Sequence, residues 1–327
     1  MTTTHASGSR LDWFLFLALG FMWGSSYLFI KIGVDHGLTP FTLIMLRLAI
    51  GFVLLATVVR IAGESLPRDP RMYGHLLVMG VVNIAIPFAL ITFAEQTVSS
   101  SLASVINSAV PLLVIVIASI FLANEAITVN RLAGLAVGFV GVAILVGFDI
   151  ADLSSANTIG ELALLGSTLS YAIGAVYSRA HVRGLRPMIP ALFQVGFALI
   201  VVTILAFVFE RPLATTFTPD SLFAVVWLGL LGSGVAYLGF FRLLRDWGAT
   251  RTSLVAYLLP IYGIALGALV LAEPIAVSTL VGTGLVIAGI ALVNAKVGTR
   301  PLFSRQPATI AAPNTARSSP TPRSTET

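Results

Sequence analysis

The chain has 327 residues, of which 57% are apolar and 10% are charged, with a net charge of +5 and a mean hydropathy of +0.96. Soluble proteins average about 25% charged residues, so this composition excludes a soluble enzyme or a disordered chain and indicates a polytopic membrane protein. The basic residues form no patch for nucleic acid, and the chain has no cysteine and no HExxH-type motif among its four histidines; we therefore expect no nucleic-acid partner, no metal and no cofactor.

Ten apolar runs of about 19 to 25 residues follow one another, each long enough for one membrane-spanning helix. They cover residues 12–33, 40–60, 73–93, 98–122, 130–148, 160–180, 188–209, 221–243, 251–272 and 277–296. A cytoplasmic segment, 1–11, precedes them, and we expect the first run to be a retained helix because no small-residue cleavage site follows it. Residues 297–327 are rich in Pro, Ser, Thr and Arg, which predicts a disordered basic tail.

The distribution of basic residues predicts the orientation of the helices. Sixteen of the 19 Lys and Arg residues lie on the side that holds both termini, Lys31 and Arg211 lie on the other, and Arg47 lies within a span. Because Lys and Arg concentrate in cytoplasmic loops, we expect both termini to be cytoplasmic and the protein to be a multi-pass protein of the cell (inner) membrane.

The second half of the chain repeats the first at an offset near 148 residues. The sequence WGSSYLFIK at 23–31 corresponds to YAIGAVYSR at 171–179. Pro111 followed by LANE corresponds to Pro260 followed by LAE, with one residue deleted.

These correspondences divide the chain into two units, 12–148 and 160–296, joined by a loop at 149–159. Each unit contains five predicted spans, and an odd number makes the second unit enter the membrane from the opposite side. The predicted fold class is therefore an all-α polytopic membrane protein of ten helices in two inverted five-helix repeats, an architecture common among secondary transporters.

The ordered motifs resemble the EamA branch of the drug/metabolite transporter superfamily. They are WGSSYLFIKIG, then Pro40 with Arg47, then SLASVINSAVPLLVIVIASIFLANE with Arg131 and Gly134, and in the second unit SLVAYLLPIYGIALGALVLAEPI with the glycine-rich last helix. The resemblance covers about residues 12–296. It implies two inverted five-helix repeats around a central cavity, and export or exchange of small metabolites, amino acids or drugs without ATP.

Prolines inside the predicted spans point to candidate binding positions, because a proline leaves a backbone carbonyl free. Asn83 lies four residues before Pro87, and Asn107 lies four residues before Pro111, so each amide lies about one turn from a break. An amide in lipid is costly unless it is hydrogen-bonded, so both are expected in the protein interior. Contact with substrate and hydrogen bonding between helices remain equal alternatives for both residues.

Aromatic residues and one arginine complete the candidate substrate-binding set. Trp23, Tyr27 and Tyr257 are predicted to line a cavity, with plain helix packing as the alternative, whereas Trp13, Trp227 and Trp247 are expected at the membrane interface. Arg47 lies seven residues past Pro40, about 10 Å into its span. Either it binds a substrate carboxylate or its side chain reaches back to the membrane surface. Further tyrosines within the predicted spans are Tyr171, Tyr177, Tyr237 and Tyr262, and Gln194 is a weaker polar candidate.

No carboxylate is predicted at mid-membrane. Glu95, at the end of the third run, is the nearest candidate for proton coupling, against the alternative of a solvated helix end.

The sequence therefore favours a secondary active transporter that works by alternating access. The expected partners are the lipid bilayer and a small amphipathic substrate, with proton coupling or counter-substrate exchange both open and the oligomeric state undetermined. Two alternatives from other classes are an intramembrane lipid-acting enzyme, which lacks an evident catalytic group here, and a channel.

Overall fold

A computed structural model describes residues 10–122, 127–146, 155–182, 184–186, 188–294 and 301–303. Within these ranges, eight helices are long and apolar enough to cross a membrane, and two shorter apolar helices follow them. In chain order we number them α1 (Arg10–Asp35), α2 (Pro40–Ile61), α3 (Pro70–Ala94), α4 (Ser100–Phe121), α5 (Val129–Val146), α6 (Ala156–His181), α7 (Met188–Phe209), α8 (Pro219–Phe240), α9 (Leu254–Val270) and α10 (Val277–Val293). The predicted all-α, multi-pass class is confirmed.

One helix begins earlier than its apolar run, and a short strand lies in the predicted tail. Helix α6 begins at Ala156, inside the predicted loop, because the Ser155 side chain accepts a hydrogen bond from the Thr158 N–H and so caps the helix. Two short strands, β1 (Ile127–Thr128) and β2 (Pro301–Phe303), pair antiparallel. Strand β2 falls within the predicted tail, 297–327, most of which lies outside the described residues.

Several helices are interrupted near the prolines singled out by the sequence. Helix α3 contains a π-helical segment, Val81–Ala85, directly before the turn that holds Pro87. Helix α4 breaks at Ala109, two residues before Pro111, and a 3-10 turn over Ser253–Tyr257 precedes Pro260. Proline has no N–H, so it leaves a carbonyl of the preceding turn unpaired and favours these irregular turns.

A second π-helical segment, Leu228–Val235, lies in α8 without a proline. Its glycines let α2 approach closely: a Cβ at Gly229 would lie 2.6 Å from the Cβ of Ile50, and one at Gly51 of α2 would lie 2.7 Å from the Cβ of Ser233. The wide turn and the missing side chains together bring the backbones of α2 and α8 into contact.

The two halves of the chain interlock through equivalent helix pairs. Helix α1 packs against α9 as α6 packs against α4, and α2 packs against α8 as α7 packs against α3. Helix α1 also packs against α8 as α6 packs against α3. Three further cross-half pairs, α2 with α7, α4 with α9 and α5 with α10, join helices of equal rank in the two halves. Each half therefore buries its apolar faces mainly against the other half.

Glutamates from the second half cap helices of the first. The carboxylate of Glu210, after α7, accepts hydrogen bonds from the N–H groups of Phe41 and Thr42 at 2.9 and 2.8 Å. The carboxylate of Glu273, after α9, accepts from the N–H groups of Ser100 and Ser101 at 2.8 and 3.0 Å. Carboxylates stabilise helix N-termini, where N–H groups lack partners.

These contacts define one end of the helix bundle, which we call the capped end. His36, at the end of α1, also meets Asp220, at the start of α8, with 3.2 Å between ring nitrogen and carboxylate oxygen. The opposite end carries other cross-half ion pairs, between Arg186 and Glu64 at 2.9 Å and between Arg242 and Asp12 at 4.0 Å. The chain therefore turns at alternate ends of the bundle: α1 ends and α2 begins at the capped end, whereas α2 ends at the opposite end.

The crossing of α5 and α10 provides a stability test. A Cβ at Gly134 would lie 2.5 Å from the carbonyl oxygen of Gly289, so Gly134→Ala forces the helices apart. We expect a loss of about 1–3 kcal/mol in the free energy of unfolding, the usual cost of overpacking. The change is measured as a lower melting temperature of the purified protein in detergent.

The matched control is Gly284→Ala on α10, the partner helix of this crossing, where an added Cβ would meet no atom within 4 Å. Alanine is the better helix former, so we expect unchanged or slightly higher stability, by about 0.5–1 kcal/mol. Equal melting temperatures for Gly134→Ala and the parent protein would contradict the close crossing.

Candidate functional site

Arg47 of α2 is the central residue of the candidate site. Its side chain is only 3% exposed, and its Nε donates a hydrogen bond to the Ser233 hydroxyl of α8 at 3.3 Å. Its guanidinium carbon lies 4.2 Å from the centroid of the Phe88 ring of α3, a cation–π contact. The predicted alternative, in which this side chain reaches the membrane surface, is wrong because both halves of the bundle enclose it.

Three tyrosines surround the guanidinium. Tyr27 of α1, Tyr171 of α6 and Tyr237 of α8 all lie within electrostatic range of Arg47. Trp23, one turn before Tyr27, packs edge-to-face on Tyr237 with 6.2 Å between ring centroids. The candidates Trp23, Tyr27 and Arg47 therefore lie in one region, to which both halves contribute side chains.

Small residues on α1 and α8 let these two helices pack closely beside Arg47. A Cβ at Gly232 would lie 2.9 Å from the Ser26 hydroxyl and 3.4 Å from Nη2 of Arg47. Ser26 donates its hydroxyl proton to the carbonyl of Met22, so its oxygen can still accept a hydrogen bond. Hydroxyl, phenol, indole and guanidinium groups together can bind an anionic or amphipathic small molecule.

Asn83 lies in the π-helical segment of α3, and its side chain crosses to the other half. Its amide donates to the side-chain oxygen of Gln194 in α7 at 3.1 Å. A Cβ at Gly174 of α6 would lie 2.9 Å from the Asn83 side-chain oxygen, so the glycine admits this amide between helices. The structure thus provides a hydrogen bond between helices for Asn83.

Asn107 and Tyr257 are positioned by contacts of their own. Asn107 is 4% exposed, donates to the Ala103 carbonyl at 3.2 Å and accepts from the Ser167 hydroxyl of α6 at 2.9 Å. The bond to Ser167 joins α4 to α6. Tyr257 lies in the 3-10 turn at the start of α9 and packs, partly buried, against the main hydrophobic core.

Glu95 follows the last turn of α3 and is completely buried. The expectation of a solvated helix end is wrong here because neighbouring helices cover the carboxylate. Lys31 of α1 bridges this region: its ammonium donates to the main-chain carbonyl of Glu95 at 2.8 Å and lies 3.1 Å from the Asp35 carboxylate.

A lateral cavity of about 500 Å³ lies between α1, α8 and α9. Phe21, Phe29 and Trp227 contribute to its wall, and the indole N–H of Trp227 donates to the Ser25 hydroxyl at 3.0 Å. Trp227, for which the sequence predicts a place at the membrane interface, is held between α1 and α8 by this hydrogen bond and by ring contacts with Phe21 and Phe29.

The family model of EamA-like transporters matches the chain twice, at residues 12–147 and at 158–295. The chain belongs to the EamA-like transporter family. The two matches nearly coincide with the two units predicted from the internal repeat.

Several curated relatives of this EamA-like chain are named transporters. An uncharacterized transporter of Archaeoglobus fulgidus is 28% identical over 83% of the chain and 94% of the relative. The uncharacterized transporter YoaV of Bacillus subtilis is 24% identical over 84% and 93%. The uncharacterized inner membrane transporter YedA of Escherichia coli is 27% identical over 76% and 79%.

A known crystal structure of another protein shares the fold of this EamA-like chain. The TM-score is 0.63 at 19% sequence identity, and the likeness covers 88% of this chain and 97% of the other. This likeness concerns the fold alone.

Sequence reasoning missed the partners of Arg47 in this EamA-like transporter. Ser233 and Phe88 lie on α8 and α3, and a single sequence gives no signal for pairing across such separations. The glycines around Ser233, at 229, 232 and 234, do indicate that α8 can pack closely against a neighbouring helix.

Asn83 and Gln194 provide a test of interhelical hydrogen bonding. Removing either side chain leaves the other buried amide without its partner, so each of Asn83→Ala and Gln194→Ala should destabilise the protein, and the double variant should cost less than their sum. We expect a coupling energy of about 0.5–1.5 kcal/mol, measured from unfolding of the four proteins of the cycle.

The exposed Gln96→Ala, at the end of the same helix α3, serves as a control and should leave stability nearly unchanged. Strictly additive effects of the Asn83 and Gln194 substitutions would favour the alternative role of Asn83 in substrate contact.

Proposed function

We propose that the protein is a secondary active transporter that exports or exchanges small amphipathic metabolites, amino acids or drugs by alternating access. The observation that carries this proposal is the enclosed Arg47, held by Ser233 and Phe88 and surrounded by three tyrosines. A buried intramembrane cation is costly and marks a functional site by default. In this proposal the protein moves its cargo unchanged and is not an enzyme.

The proposed binding site uses the six residues selected from the sequence in two ways. Trp23, Tyr27 and Arg47 would contact cargo directly, through ring stacking and a charge-assisted hydrogen bond to a carboxylate or similar group. Asn83, Asn107 and Tyr257 would hold the helices that surround the Arg47 site. The hydrogen bonds of the two asparagines and the core packing of Tyr257 support this division.

Two inverted five-helix repeats are the proposed architecture for alternating access. The twofold family match and the equivalent helix pairs support it, because the contacts of α1, α2 and α3 are repeated by α6, α7 and α8. With an odd number of spans in each unit, the second unit runs through the membrane in the opposite sense. Rocking one unit against the other would then expose Arg47 to the two sides in turn.

We place the protein in the cell (inner) membrane with both termini in the cytoplasm. The relative YedA is named an inner membrane transporter, which supports the first part. The excess of Lys and Arg on one side supports the second part. In this orientation the capped end of the bundle, with Glu210 and Glu273, faces away from the cytoplasm.

Counterflow in proteoliposomes tests transport and cargo class together. Vesicles are preloaded with a mixture of unlabelled amino acids, and labelled amino acids are added outside. A carrier accumulates label transiently above equilibrium, whereas a channel only equilibrates it. Absence of transient accumulation by well-folded protein would contradict an amino-acid carrier.

Substituting Arg47 should reduce counterflow specifically. Because Arg47→Gln removes a charged hydrogen-bond donor worth about 1.5–3 kcal/mol, we expect half-saturation at about 10- to 100-fold higher cargo concentration. The control is Arg68→Gln, an exposed arginine between α2 and α3, which should transport like the parent protein. Unchanged counterflow in an Arg47→Gln protein that expresses well would contradict its role in binding cargo.

The orientation can be tested directly because the chain has no cysteine. Single cysteines at Thr216, between α7 and α8, and at Ser65, between α2 and α3, occupy exposed positions at opposite ends of the bundle. We expect a membrane-impermeant maleimide to label Thr216→Cys in intact cells and Ser65→Cys only in inverted vesicles. The reverse pattern would place the termini outside the cytoplasm.

A further inference from the structure

Glu95 is a buried carboxylate that the binding site described above does not use. Within the described part of the chain, neither of its carboxylate oxygens has a hydrogen-bond partner, and both are shielded from solvent. The hydroxyl of Thr92, one turn earlier on the same helix, is also buried without a partner. Two unpaired polar groups thus lie together at the end of α3.

An unpaired buried carboxylate is unstable in its charged form. The cost of removing its charge from water is many kcal/mol unless a cation or several donors compensate it, and the group otherwise takes up a proton. Lys31 does not provide that compensation directly, because its ammonium bonds the main-chain carbonyl of Glu95 and the Asp35 carboxylate instead.

The surroundings of Glu95 contain charges of both signs, from several elements. Lys31 and Asp35 of α1, Arg47 of α2, and Glu273 of the segment after α9 lie within electrostatic range of its carboxyl group. The phenol of Tyr27 on α1 also lies within electrostatic range. Glu273 and Asp35 favour the protonated form of Glu95, whereas Lys31 and Arg47 favour the charged form.

Glu95 is therefore electrostatically linked to the candidate cargo site. Arg47 can stabilise a charged Glu95 only while its own charge is not neutralised by cargo. Binding or release of cargo at Arg47 thus changes the balance between the two forms of Glu95, and a proton is taken up or given off.

We infer that Glu95 is a proton-binding site that couples transport to a transmembrane pH gradient. In the arrangement described here the carboxyl group carries its proton, because a neutral carboxyl group costs far less free energy than a carboxylate when its oxygens are buried without partners among the described residues. Movement of α1 or α2 that brings Lys31 or Arg47 to the carboxylate releases the proton. The inference rests on the proposed transport function and adds the ion that drives it.

Glu95→Gln separates coupling from transport, because glutamine has the shape of the protonated acid and cannot release a proton. In proteoliposomes without counter-substrate, the parent protein should concentrate labelled amino acids under a pH gradient of one sense, and a protonophore should abolish the accumulation. The Glu95→Gln protein should retain counterflow but show gradient-driven accumulation no greater than empty liposomes. The sense of the active gradient distinguishes proton exchange from cotransport.

Glu161→Gln provides the matched control. Glu161 is a half-buried carboxylate near the start of α6, and this variant should retain both counterflow and gradient-driven accumulation. A second readout uses a pH-indicator dye in weakly buffered detergent solution. Adding the amino-acid mixture should change the dye signal with the parent protein and not with Glu95→Gln.

The outcomes separate the two proposals. Absence of counterflow by well-folded parent protein contradicts an amino-acid carrier, and the inference that Glu95 couples this transport falls with it. Counterflow by a parent protein that ignores pH gradients and exchanges no proton on binding cargo overturns the role of Glu95 alone. Gradient-driven accumulation that persists in Glu95→Gln overturns it equally.

Discussion

The need to satisfy polar groups without water governs this structure. In the hydrocarbon of a membrane an unpaired N–H, carbonyl or charge costs several kcal/mol, so such a group is stable only with a partner inside the bundle or, for a carboxylate, with a bound proton. Some side chains bond a carbonyl of their own helix, as Ser26 bonds Met22. The side chains of the candidate site, and the N–H groups at the starts of α2 and α4, find partners in the other half.

This constraint explains why the candidate site lies where the halves meet. The guanidinium of Arg47 needs acceptors and a polarisable surface, and α8 and α3 supply Ser233 and Phe88. Asn83 needs an acceptor and finds Gln194 on α7. Since each pair joins one half to the other, a relative movement of the halves necessarily changes the surroundings of these polar groups. A cargo molecule that offers equivalent hydrogen bonds can compensate the change.

The sequence predicted the helices better than their contacts. Apolar runs locate the spans because the membrane demands about 20 apolar residues per helix, and the ends of α2 and α7 agree with the runs within a residue. The prolines correctly marked breaks in α3 and α4.

In contrast, the Ser233 partner of Arg47 and the burial of Glu95 depend on how distant helices pack. Hydropathy and local spacing carry no information about such contacts. Trp227 illustrates this, since an indole at a membrane interface and one bonded between helices look alike in a single sequence.

The capped end of the bundle has a consequence for the conformational equilibrium. Glu210 and Glu273 each accept four hydrogen bonds from N–H and hydroxyl groups of the first half, and all eight lie at the same end. Separating the halves there breaks charge-assisted hydrogen bonds, which are about twice as strong as neutral ones. The opposite end has two cross-half ion pairs, each with an exposed arginine, and one of them is 4.0 Å long, so we expect them to contribute less. The unliganded protein should therefore spend most of its time closed at the capped end, and the opening of that end should set the pace of the cycle.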